Sequence, residues 1–139
     1  MRFYVMALAV LLCSCMAQPK PEASLFERIG GLSMLSRVSN QTLDIVSKDP
    51  KTSRSFEGVK MKALKESLTN FLCVKSGGAC TYEGETMKNS HTDLHITTAE
   101  FERMVDVLRE RLDANGVGTK EKNELLKILA PMKRDVVTN

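Results

Sequence analysis

The sequence predicts an all-α domain, and three observations carry that prediction. Apolar residues recur at steps of three and four through most of the chain. No stretch alternates apolar and polar residues for long enough to make a half-buried strand. Capping boxes at Ser24-Leu25-Phe26-Glu27 and Thr97-Thr98-Ala99-Glu100, together with the pairs Gly30-Gly31 and Gly77-Gly78, punctuate the periodic segments.

The amino-terminal residues stand outside this pattern. Arg2 supplies a positive start, and Met6 to Leu12 form an apolar run too short to remain as a membrane span. The segment Leu12-Cys13-Ser14-Cys15 resembles the bacterial lipoprotein cleavage box, with an aliphatic residue, spacers ending in a small one, and then cysteine. Residues 1–14 are therefore expected to be a lipoprotein-type signal peptide, with Cys15 as the lipidated amino terminus. The alternative is an ordinary signal cut near Ala17. Either reading exports the chain, and the first anchors it by lipid to a membrane facing the periplasm. Residues 15–23, which include Gln18-Pro19-Lys20-Pro21-Glu22, read as a flexible tether.

Cleavage before Cys15 leaves 125 of the 139 residues, room for one domain at residues 24–139 with one core. The formal net charge of +3 falls to +2 once Arg2 is removed. Lysines are scattered among acids without aromatic interleaving, so the composition argues against a nucleic-acid groove.

Within the domain, the first capping box opens a helix that Gly30-Gly31 soon ends. A second helix is expected from about Leu32 to Ser47, with Leu35, Val38, Thr42 and Val46 on one face and Asp49-Pro50 as its stop. Phe56 follows in a short polar turn. A third helix from about Val59 to Lys75 carries the stripe Met61, Leu64, Leu68, Phe71 and Leu72 and ends at Gly77-Gly78. Met87 to about Asp93 has room only for a short helix. The second capping box opens a helix through Phe101, Met104, Val105, Leu108 and Leu112, which Asn115-Gly116 breaks. The last helix begins near Thr119, turns Leu125, Leu129, Met132 and Val136 inward, and is expected to bend at Pro131.

Cys73 and Cys80 belong to the domain. Seven residues containing Gly77-Gly78 allow the chain to double back, and an exported protein favours oxidised thiols, so a disulfide is expected. Two separate buried thiols are the alternative. A zinc site lacks further ligands at suitable spacing.

Two histidines are present, His91 and His95. Four residues apart, they would face the same way in a continuous helix, as in a two-histidine metal site. The segment is short and ends there, however, and no third ligand follows at metal-site spacing. His95 therefore reads as a surface or hydrogen-bonding residue.

Leu25-Phe26-Glu27-x-Ile29-Gly30-Gly31, Gly77-Gly78 with Tyr82-x-Gly84, Met87-Lys88-x-x-His91, Leu129-Ala130-Pro131 and Arg134-Asp135-Val136 follow one another in an order that resembles the group I truncated haemoglobins. The resemblance spans about Ser24 to Val137. It implies a truncated globin-like two-over-two helical sandwich around haem b, with His91 as the proximal iron ligand. Phe56 matches the aromatic that wedges against the porphyrin. Leu43, Leu64, Leu68, Phe71, Met87, Met104 and Leu129 match positions that line the haem cavity, although a helix stripe explains each of them equally well as core. An imidazole is a good iron ligand when its other nitrogen is oriented by an acceptor, and the Met87 carbonyl, four residues earlier, is available.

Departures from the family carry functional weight. Leu43 stands where the resemblance implies tyrosine, and Leu68 where glutamine is frequent; Leu64 is apolar as well. A bound dioxygen carries partial negative charge, so the missing donor forfeits about 1–3 kcal/mol. Tight oxygen storage is disfavoured, whereas carbon monoxide and nitric oxide need the donor less. No histidine lies on the Leu64 helix or the last helix, which implies a five-coordinate ferrous haem. Lys65 is a weak candidate for a haem propionate.

The sequence thus reads as a haem protein that reversibly binds diatomic gases. An alternative is a haem-dependent nitric oxide detoxification or redox enzyme served by an external reductase. A haemless helical lipoprotein acting through protein contacts is the third.

Overall fold

The computed structural model describes residues 22–138. The expected signal peptide, lipidated Cys15, residues 16–21 of the tether and Asn139 lie outside the described residues. All regular structure among the described residues is helical, as predicted.

Helix α1, Leu25–Ile29, begins with the expected reciprocal cap. Ser24 Oγ accepts the Glu27 N–H at 3.2 Å, and Glu27 Oε2 accepts the Ser24 N–H at 2.8 Å. Gly30, at φ 115°, ends α1 and starts α2 in one step, a conformation that residues with a side chain rarely adopt. Helix α2, Gly31–Val46, buries its entire predicted stripe of Leu35, Val38, Thr42 and Val46, and Leu43 beside it. The next turn is fastened by Asp49, which accepts the Lys51 N–H at 2.9 Å and the Arg103 guanidinium at 2.7 Å. A 3-10 turn, Ser53–Phe56, then leads to α3, Met61–Lys75. Helix α3 starts two residues later than predicted, because Gly58 at φ 72° leaves Val59 and Lys60 non-helical.

Helix α4 is only Met87–His91, capped by Thr86, whose hydroxyl accepts the Asn89 N–H at 3.2 Å. Helix α5, Thr98–Ala114, opens with the second predicted capping box, and α6 runs from Thr119 to Leu129. Pro131 does more than bend the last helix. The α-helical bonding stops at Leu129, a 3-10 turn occupies Ala130–Met132, and α7 resumes at Lys133–Val136. Proline has no N–H to continue the ladder, so the interruption falls at its own turn. The inward set is nevertheless preserved: Leu125 and Val136 are buried, Leu129 and Met132 half-buried.

Helix α2 packs against both α3 and α5, α5 packs on α6, α1 lies against α6, and α4 rests on α7. One body of core joins Leu25 and Ile29 to Leu35, Val38, Leu72, Leu112 and Leu125. A smaller body surrounds Leu43, Val46 and Val107, and Leu68 touches both.

The start of the domain is tied to the end of α3, where the Phe26 N–H donates to the Ser76 carbonyl at 2.8 Å. Buried Cys73 and half-buried Cys80 lie in disulfide geometry beyond it, with Cα atoms 6.0 Å apart. Gly78 sits between them with no space for a side chain. A Cβ there would come 2.4 Å from Cys73 Sγ and 2.7 Å from the Phe26 ring. Gly78→Ala is expected to destabilise the chain by about 1–3 kcal/mol, the usual cost of overpacking. Urea unfolding measures it, and an unchanged midpoint would show that this corner gives way freely.

Candidate functional site

A cavity of about 500 Å³ opens between these helices. Leu43 of α2 and Leu64, Leu68, Phe71 and Leu72 of α3 make one apolar wall, with Phe56 of the 3-10 turn beside it. Met104 and Leu108 of α5, with Leu129, Met132 and Val136 from the last helical segments, continue the lining. Met87 and His91 bring α4 to it. Every residue that the sequence assigned to the cavity therefore borders a single space. The stripes found in the sequence serve the core on one side and this space on the other.

His91 is half-buried, and its ring orientation is determined by its neighbours. Nδ1 lies 2.7 Å from the Met87 carbonyl oxygen and 3.0 Å from Ser90 Oγ. A carbonyl can only accept, so Nδ1 carries the proton and donates it. Ser90 Oγ is 2.9 Å from the Thr86 carbonyl, to which its own proton is directed, so a lone pair can share the Nδ1–H. In the neutral ring Nε2 is then the nitrogen with the lone pair, the form in which imidazole binds a metal. The Met87 acceptor was expected from helix spacing. Ser90 was not, although its position beside His91 was the available signal.

His95 is separated from this arrangement. Helix α4 ends at His91, so the four-residue spacing no longer aligns the two rings. The His95 backbone takes φ 49°, and the residue does not border the cavity. Lys65 is also placed elsewhere: its ammonium meets Asp44 Oδ1 at 2.6 Å between α3 and α2, outside the cavity lining.

Several lining residues escaped the sequence reading as site residues. Tyr82 borders the cavity and meets Phe71 edge-on, ring centroids 5.2 Å apart. Leu94 and Ile96 follow His91, and Phe101 and Val105 extend the α5 face. Periodicity identified Phe101 and Val105 as inward-facing without saying what they faced. Ser55 and Ser67 add hydroxyls to a lining that is mostly apolar.

Glu100 is the buried carboxylate at the cavity edge, 7% exposed. The sequence identified it only as a helix cap. Its Oε2 accepts the Thr97 N–H at 2.9 Å, the Thr97 hydroxyl at 2.8 Å and Arg54 Nη2 at 2.5 Å, while Oε1 accepts the Ser55 hydroxyl at 3.1 Å. Burial pushes the carboxyl pKa up. The Thr97 N–H, the Arg54 guanidinium and the two hydroxyls outweigh it and hold the group at about 2.

An unfolded glutamate titrates near 4.5. The charged form consequently stabilises the fold above that value, and the stabilisation is lost as pH falls towards 2. Stability is expected to decline across this window, with a flatter profile in Glu100→Gln. Denaturant midpoints measured from pH 5 to 2 would test this, and parallel profiles for the two proteins would contradict it.

Comparisons with known proteins agree with this architecture. The chain matches the bacterial-like globin family over residues 24–138. A group 1 truncated haemoglobin from Mycolicibacterium paratuberculosis is 32% identical over 116 residues, covering 84% of this chain and 85% of that protein. Among solved structures, the Fe(III) form of truncated haemoglobin from Tetrahymena pyriformis superposes with a TM-score of 0.80 at 21% identity, covering 84% of this chain and all of that one. The 2/2 haemoglobin of Synechococcus sp. PCC 7002, solved in the cyanomet state with covalently attached haem, gives 0.78 at 24% identity, again covering 84% of this chain and all of the other. The two-over-two helical fold, the matched span and the relative sharing nearly a third of its residues agree: the chain belongs to the bacterial-like globin family, with the truncated haemoglobins.

Proposed function

We propose that this chain binds haem b through His91 and takes diatomic gases in the apolar pocket beside it. One observation carries the reading. His91 is the imidazole at a cavity of about 500 Å³, its Nδ1 is committed to the Met87 carbonyl, and Nε2 retains the lone pair that iron requires. A cavity of this size and apolar lining suits a large flat cofactor. Haem would supply an iron with one position for His91 and another open to oxygen, carbon monoxide or nitric oxide.

The residues around that space decide which gases are retained. Phe56, Phe71, Met87, Met104 and Leu129 provide apolar surface for the flat ring and exclude water from it. Leu43, Leu64 and Leu68 offer no N–H or O–H group to a gas molecule, and the cavity-lining hydroxyl nearest them in sequence belongs to Ser67. The wall thus favours carbon monoxide and nitric oxide over long retention of oxygen. It also works against nitric oxide oxidation, because that chemistry consumes held oxygen and draws electrons from a separate reductase.

Export to the periplasm, with a lipid at Cys15, completes the proposal. Its supports are the apolar run and cysteine box of the first 15 residues and the disulfide geometry of Cys73 and Cys80, which suits an oxidising compartment.

Haem titration tests the central claim. Wild type is expected to develop a Soret band at one haem per chain, and its reduced form to show a five-coordinate spectrum. His91→Ala is expected to lose tight binding and to regain it with added imidazole. No Soret band from wild type, or equal affinity in His91→Ala, would end the reading; the former would leave a haemless helical protein. A second measurement addresses the gas. Leu43→Tyr places a hydroxyl in the pocket and is expected to slow oxygen release roughly 5- to 150-fold, from about 1–3 kcal/mol of donor stabilisation, while carbon monoxide release changes much less. Equal effects on both gases would show that the variant alters access rather than polarity.

A further inference from the structure

The three residues Leu94, His95 and Ile96, which follow the helix carrying His91, have their carbonyls held from outside. Arg54 Nη1 donates to the Leu94 carbonyl at 3.3 Å, and Arg54 Nη2 donates to the His95 carbonyl at 2.9 Å. The Thr138 N–H donates to the Ile96 carbonyl at 3.1 Å. Between them His95 sits at φ 49°, a left-handed conformation uncommon for a residue with a side chain.

Arg54 stands on the Ser53–Phe56 turn, whose Phe56 borders the cavity. The same Nη2 also meets Glu100 Oε2, and the neighbouring Ser55 hydroxyl meets Oε1. One guanidinium thus joins three pieces of chain: the Phe56 turn, the segment after His91 and the first turn of α5. An isolated pair at the 52% exposure of the Arg54 side chain would contribute little. The buried carboxylate and the two carbonyls make this case different, because a planar fork with fixed donors sets relative positions as well as adding attraction.

We propose that Arg54 and Glu100 are positioning residues that lock the His91 segment to the Phe56 turn and thereby set the pose and hold of the imidazole. This rests on His91 being the haem ligand. Helix α4 has five residues, too few to be rigid on its own. Its carboxyl-terminal exit runs through Leu94 to Ile96, so freedom there becomes freedom of the ring.

The test compares wild type with Arg54→Ala and Glu100→Gln, and with Arg109→Ala as control. Arg109 pairs with Asp106 on the exposed side of α5 and does not border the cavity. Without haem, amide hydrogen exchange over residues 91–97 is expected to accelerate on the order of 10- to 100-fold in the first two variants, the loss of a charge-assisted hydrogen bond, and by more than exchange in α2. With haem, transfer to a competing apoglobin is expected to accelerate by a similar factor. The iron–histidine stretching band of the ferrous protein should also shift or broaden. Arg109→Ala should match wild type throughout. Unchanged exchange over residues 91–97, a uniform rise across all helices, or an unaltered iron–histidine band would each overturn the proposal. Failure of wild type to bind haem would refute the haem reading instead, and the exchange measurement would still show whether the lock exists.

Discussion

A helix of five residues carries the side chain on which the proposed function depends, and five residues cannot hold a helix in water. Nucleation costs more than so few backbone bonds return. Met87–His91 is stable because its surroundings supply what its length cannot. Thr86 caps it, α7 packs against it, and the carbonyls after it are bound by Arg54 and by the chain end. The rest of the molecule can be understood as the frame that keeps this short element beside an apolar space.

That frame divides its apolar faces. Leu35, Val38, Leu112 and Leu125 are buried in the larger body of core and stabilise the fold. Leu43, Leu64, Leu68 and Met104 lie nearer the smaller body of core and border the cavity. A cavity forfeits contact energy along its walls. Filling it with a large apolar ligand would restore those contacts, so cofactor binding and domain stability are coupled in this architecture.

Two polar groups at the cavity have their partners defined in detail. The His91 N–H goes to Met87, and the Glu100 carboxylate collects donors from Thr97, Arg54 and Ser55. The glutamate serves twice, closing the cap of α5 and receiving the guanidinium that reaches behind His91. Because burial alone would favour its neutral form, the ionised state depends on these donors staying in place. Local capping and long-range positioning therefore rest on the same carboxylate.

The helices, their caps and their inward faces were legible in the sequence because they are local properties. Ser24 and Thr97 announced capping boxes, Gly30 and Gly77 announced breaks, and the stripes of α2, α3 and α5 announced buried sides. The family motifs added His91 and its cavity partners, and the absence of a donor at Leu43 and Leu68 was apparent without coordinates. Tertiary structure decided what spacing leaves open. It showed which apolar residues face a cavity rather than a neighbour, that Pro131 interrupts the last helix, and that Lys65 turns to Asp44. It also brought Arg54 to carbonyls 40 and 41 residues away. Periodicity records only that a side is apolar; what lies against it is set by chain elements distant in sequence, and those meet only when the whole domain closes.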